Sequence, residues 1–154
     1  MPNDMTMTTT ATPVAVALQT GICAGTTIMT LDGEMPIEHL SVGDRVITRD
    51  SGMSVVTGIT SKTTTMQPIR IKAGSLGHTR PDRDMLVTPG VNLHIRDWRA
   101  EALFGTTSAS VAAERLVDGE FLAPTEARDV TVYHLQFDRE HIIYADGIEM
   151  IAGA

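Results

Sequence analysis

The chain has 154 residues, a formal net charge of −7, 42% apolar residues and one cysteine. That length suits one domain with its own core, and a lone cysteine excludes an internal disulfide framework or a multi-cysteine metal site. The acidic balance gives no long-range pull on phosphate backbones, so no nucleic-acid partner is expected.

The longest apolar run, Val14 to Leu18, is far short of the ~20 residues of a spanning helix, so no membrane helix is expected. No Lys or Arg precedes Arg45, and a classical signal peptide needs a basic start. The localisation left open is cytoplasmic, or exported without a classical signal peptide.

Residues 1–22 open with a threonine-rich, nearly uncharged stretch and read as a flexible leader, with Val14 to Leu18 available as an edge strand. The domain is expected over residues 23–154. Thr26 to Leu31 ends at Asp32-Gly33 and is followed by Glu34 to Ile37, the pattern of a tight hairpin. In the run from Gly43 to Asp50, Val46 and Thr48 share one face and Arg45 and Ile47 the other. The run 53–65 is rich in β-branched residues, and Ile69 to Ala73 alternates.

Residues 74–84 carry the Gly, Pro and Asp density of a loop, before a short strand at 85–88 that stops at Pro89-Gly90. Residues 108–119, with Ser108 or Ser110 as cap, Ala and Leu inside and Gly119 at the end, predict a helix centred on 110–117. Trp98 reads as a packing anchor. Strand patterns return at 130–138 and 141–145, and Asp146-Gly147 turns into the last strand. Short strands at close spacing predict an all-β fold.

Among chemistry-bearing residues, Cys23 stands alone near the N-terminus, with histidines far downstream at 94, 134 and 141. A thiol becomes a nucleophile when a base or a positive charge lowers its pKa. A free cysteine is also among the most buried residue types. The carboxylates Asp82, Asp84, Asp97 and Asp138 have no calcium-loop spacing and read as solvated loop residues, so neither metal nor cofactor is expected.

The order of motifs adds a further signal. Gly21-Ile22-Cys23-Ala24-Gly25-Thr26 leads into TIMTLDGEMPIEHLSVGDRV, and IRIKAGSLG, MLVTPG, RDWRAEALFG and VYHLQFDREH follow. This order resembles the Hint domain, the fold shared by inteins and hedgehog autoprocessing domains, in its bacterial solitary variety. The resemblance implies a compact all-β fold of two pseudo-symmetric halves around a cleft holding Cys23, with one short helix.

It also implies an N-to-S acyl shift at Cys23, with Ile22 carrying the scissile carbonyl, followed by cleavage of the Ile22–Cys23 bond. That is the work of a single-turnover, self-cleaving cysteine autoprotease. Its substrate would be its own N-terminal segment, and the acyl acceptor, whether water, a thiol or another nucleophile, is left unspecified. The family's T-x-x-H motif aligns with Thr88 to Val91, so Thr88 is kept and Val91 stands where the family has histidine. His94 lies three residues further along an extended strand and is expected on the opposite face.

In the family's V-Y-D-L motif, His134 takes the place of the aspartate and would serve as base for Cys23; His141 matches the histidine before the final strand. The ending Met150 to Ala154 lacks the asparagine of splicing, so no splicing is expected. The alternative, which Val91 favours, is a degenerate, non-catalytic Hint domain acting as a binding or structural module. A third reading is an intermolecular cysteine hydrolase using Cys23 and His134.

Overall fold

A computed structural model of the chain describes residues 18–77 and 80–153. The chain enters through a two-residue strand, β1 (Ile22–Cys23), and continues through β2 (Thr27–Thr30) and β3 (Gly33–Pro36) to a 3-10 turn at Ile37–His39. β4 (Arg45–Thr48), β5 (Gly52–Val55), the long β6 (Gly58–Met66) and β7 (Ile69–Ile71) follow. After the 74–84 loop come β8 (Met85–Val87), β9 (Asn92–Ile95), helix α1 (Trp98–Phe104) and β10 (Ala109–Ala112). A 3-10 turn at Ala113–Leu116 precedes β11 (Leu122–Pro124), the long β12 (Arg128–Gln136), β13 (His141–Ala145) and β14 (Ile148–Ala152).

The strands pair antiparallel in three sheets: β1-β12-β6, β11-β7-β8, and an eight-stranded sheet running β10-β9-β14-β13-β2-β4-β5 with β3 on β2. The hairpins sit where turn residues allow them. Gly33 takes φ +102° after Asp32, and Asp146 and Gly147 both take positive φ, 48° and 88°, as a type I′ turn requires. Ile28, Ile37, Val46, Val56, Ile71, Leu93, Leu122 and Ile143 form the fully enclosed centre. Each contributes about 1.5–3 kcal/mol relative to leaving it in water.

Two sequence expectations are corrected. Residues 108–119 are not an α-helix: Ala109–Ala112 pairs along Asn92–Ile95 of β9, and only a 3-10 turn follows. Alanine-rich helix propensity is a weak preference that an available strand edge overrides. The α-helix is α1, where the Asp97 side chain accepts from the Arg99 N–H at the start and Gly105 closes the end at φ 69°. Trp98 is not a packing anchor either. It is 67% exposed, while Arg99 and Ala100 take the inward positions and the Arg99 guanidinium lies 4.6 Å from the indole ring centre.

The last residues of the expected leader lie along the domain. Gly90 N–H donates to the Gln19 carbonyl at 2.7 Å, and Ile22 belongs to the main core. Residues 1–17, including Val14 to Ala17 of the expected edge strand, lie outside the described residues.

Candidate functional site

β1 places the thiol. Ile22 pairs with Tyr133 and Cys23 with Val132 of β12, and alternation along a strand sends the two side chains to opposite faces. Ile22 enters the main core, whereas Cys23 enters a satellite cluster with Met66, Val130 and Val132, flanked by Leu86. Ala24 N–H donates to the Thr131 carbonyl. Thr26 N–H donates to the Cys23 carbonyl, closing a turn whose third residue, Gly25, takes φ +90°. Cys23 is 4% exposed, and burial pushes its thiol up to about 11. Among the described residues the thiol has no hydrogen-bond partner.

A cavity of about 170 Å³ beside Cys23 is lined by Thr26, Arg83, Leu86 and Asp146 among others. Arg83 could lower a thiol pKa, but its guanidinium is engaged. It donates to the Gly25 carbonyl at 2.8 Å and to Asp146 Oδ1 at 3.2 Å. Asp146 also accepts from the Thr27 N–H and hydroxyl, so it pins β2 to the β13–β14 turn.

The peptide just upstream of Cys23 is held more closely than the thiol. The buried Thr88 hydroxyl donates to the Gly21 carbonyl at 2.8 Å, one peptide before the Ile22–Cys23 bond. The His134 ring lies against Gly21, with Nε2 3.1 Å from the Thr20 hydroxyl. A Cβ on Gly21 would come within 2.9 Å of the His134 ring, and Gly21 takes φ +104°, so glycine is required here twice over. A cavity of about 290 Å³ adjoins this segment, lined by Ile22, Val91, His134, Glu140 and the ends of β12 and β14.

His141 stands apart. It is 3% exposed, its Nδ1 is 2.9 Å from Asp50 Oδ2, and its Nε2 is 2.7 Å from Asp138 Oδ1. Each ring nitrogen thus faces a carboxylate oxygen. Partial burial works to raise Asp50, but the Ile142 N–H and His141 outweigh it and hold Asp50 at about 2. His141 likewise holds the Asp138 carboxyl below its ordinary value. The structure therefore brings Thr88 and His134 together at Gly21, sets Cys23 two residues beyond, and leaves His141 tied to other partners.

A family profile described as the Hint domain matches residues 20–150. The chain belongs to the Hint domain family. Solved inteins share its fold. A bacterial intein-like domain from Clostridium thermocellum is 18% identical, with a TM-score of 0.57 over 88% of this chain and 99% of that one. The gp41-1 intein is 11% identical, at 0.56 over 88% and 100%. A DnaB intein from Synechocystis sp. is 12% identical, at 0.55 over 87% and 99%. No curated protein sequence matches the chain. Among the described residues, no helix is long and apolar enough to cross a membrane.

Within this Hint domain, Val91 is buried and its N–H donates to the Thr88 carbonyl at 3.3 Å, so residues 88–91 form a turn. His94 projects from the other face of β9 and faces Glu149, with Nε2 3.8 Å from Oε1. Sequence reasoning missed Thr20, Gly21 and Gly90 as seats of the upstream peptide. The signal available was a glycine on each side of the segment, at 21 and 90. It also missed Glu149, a lone charge inside the apolar run of β14, which is the usual mark of a buried ionic partner.

Proposed function

We propose that this Hint domain processes its own chain by an N-to-S acyl shift at Cys23. The observation that carries the reading is the seat of the upstream peptide, in which Thr88 and His134 hold Gly21 and Thr20 while Ile22 is locked into the core. A substrate fixed in this way needs no further ordering before attack. By strand register, His134 shares the face of Val132 and is a diagonal neighbour of Cys23 across β1 and β12. Such neighbours lie roughly 7–8 Å apart, within the reach of long side chains after a rotamer change.

The step balances as follows. The Cys23 thiol gives its proton to the His134 imidazole, and the sulfur attacks the Ile22 carbonyl carbon. The carbon–nitrogen bond to Cys23 breaks, the departing nitrogen takes the proton held by the His134 imidazole, and a thioester joins Ile22 to the sulfur. Water or a thiol then releases the upstream segment.

A second reading, a non-catalytic module, draws on the dry setting of Cys23 and on Val91 in the place of the family's histidine. Intact mass of freshly made protein, with and without added thiol, separates the two. The expected result is slow, thiol-accelerated loss of the segment ending at Ile22, abolished in Cys23→Ala and faster in Val91→His. Full-length protein persisting for days in both the unaltered chain and Val91→His, with Cys23 still open to alkylation, overturns the processing reading.

A further inference from the structure

We propose that the basic pocket around Glu149 is a binding site for a small oxyanion of the phosphate class. Four basic side chains converge on one buried carboxylate. Arg96 reaches Glu149 with Nη2 at 2.6 Å and Nε at 3.1 Å, Arg80 with Nη2 at 2.9 Å, Arg49 with Nε at 3.5 Å, and His94 with Nε2 at 3.8 Å. Glu149 is 1% exposed. With His94 neutral, three guanidinium charges face one carboxylate. The other acid at the pocket, Asp97, is matched by Arg99 at 2.6 Å. The cluster thus carries an excess of two positive charges.

Beside it lies a cavity of about 300 Å³ lined by Leu76, Arg80, His94, Arg96, Asp97 and Glu149 among others. That volume is at the lower end for small-molecule sites. Among the described residues, Arg80 Nε and His94 Nδ1 are both buried without a hydrogen-bond partner. A buried polar group without a partner calls for a ligand, an ion or water. Both residues line the same cavity, and a phosphate group offers acceptor oxygens to the Arg80 Nε–H and, in the matching tautomer, to the His94 Nδ1–H. Glu149 leaves room for this role because its own oxygens are taken by Arg96, Arg80 and Arg49, so it holds the guanidinium groups in place for a second anion.

The test is a titration of the full chain with inorganic phosphate, followed by NMR of the His94 ring and the arginine Nε–H groups, against sodium chloride at equal ionic strength. Saturable shifts at Arg80 and His94, with the His94 titration midpoint moving upward, are expected in phosphate and not in chloride. Arg80→Gln should weaken binding at least tenfold, on the scale of one charge-assisted hydrogen bond. Should that variant fail to fold, Arg80→Lys retains the charge, lacks the Nε–H and is expected to weaken binding too. Glycerol phosphate in a parallel titration distinguishes the sources: tighter binding than inorganic phosphate indicates a phosphate ester, and equal binding the free ion. Equal response to chloride, shifts that map to another surface, or unchanged binding in a folded Arg80 variant overturns the site.

Discussion

Cys23 and His141 are buried to nearly the same degree, 4% and 3% exposed, yet their surroundings differ in kind. The thiol lies among Met66, Val130 and Val132, while the imidazole has a carboxylate on each nitrogen. Burial alone disfavours the charged form of either group. His141 meets its burial with hydrogen-bond contacts to Asp50 and Asp138. Cys23 has no such contacts among the described residues, and it is held as a neutral thiol at ordinary pH. In this fold, hydrogen-bonded polar groups serve the framework, and the lone thiol is kept dry.

The sharpest way to break the contrast is His141→Ala. It leaves Asp50 without its buried ring partner and should cost about 1–3 kcal/mol of unfolding free energy, read by urea denaturation. Alkylation tests the other side. With the Cys23 thiol at about 11, its rate should rise about tenfold per pH unit through pH 10. At neutral pH it should lie about 100-fold below an ordinary cysteine, from the loss of thiolate alone. A plateau near pH 6–7 would show instead that an imidazole already takes the thiol proton.

An acid titration of stability gives a smaller effect. The Asp50 carboxyl is held at about 2 against an ordinary 3.8, so its stabilisation is complete above the unfolded value and is lost as pH falls from about 4 to 2. The expected loss, discounted for solvent screening, is about 1–2 kcal/mol, absent in Asp50→Asn. The smallest change belongs to Cys23→Ala. It removes one sulfur from an apolar cluster and should cost about 1 kcal/mol.

Much of the fold was legible in the sequence because its turns are written in local chemistry. Asp32-Gly33 and Asp146-Gly147 mark hairpins whatever surrounds them, and the alternation of β4 and β12 shows their faces. The helix was misplaced because Ala109–Ala112 answers to β9 rather than to its own propensity. The Asp97 cap and Gly105 stop around α1 were present in the sequence but overshadowed by Trp98. For the candidate site, motif order located Cys23, Thr88, His134 and His141. What covers each face depends on distant pairing, Cys23 with Val132 and His141 with Asp50, so the dry pocket of the thiol and the carboxylates around the imidazole could not be read from spacing.

Ile22 bears on any product of the proposed cleavage. Its side chain completes the main core although it lies upstream of the bond that the proposed cleavage would break. Withdrawing it would leave a hole of the kind that costs about 2–5 kcal/mol when an isoleucine is cut back to alanine. The severed peptide therefore has reason to stay where it is, bound through Ile22, Gly21 and Gln19 with no covalent link. A cut chain would keep its shape and leave slowly, and a gel run under denaturing conditions would report cleavage well before a sizing column did.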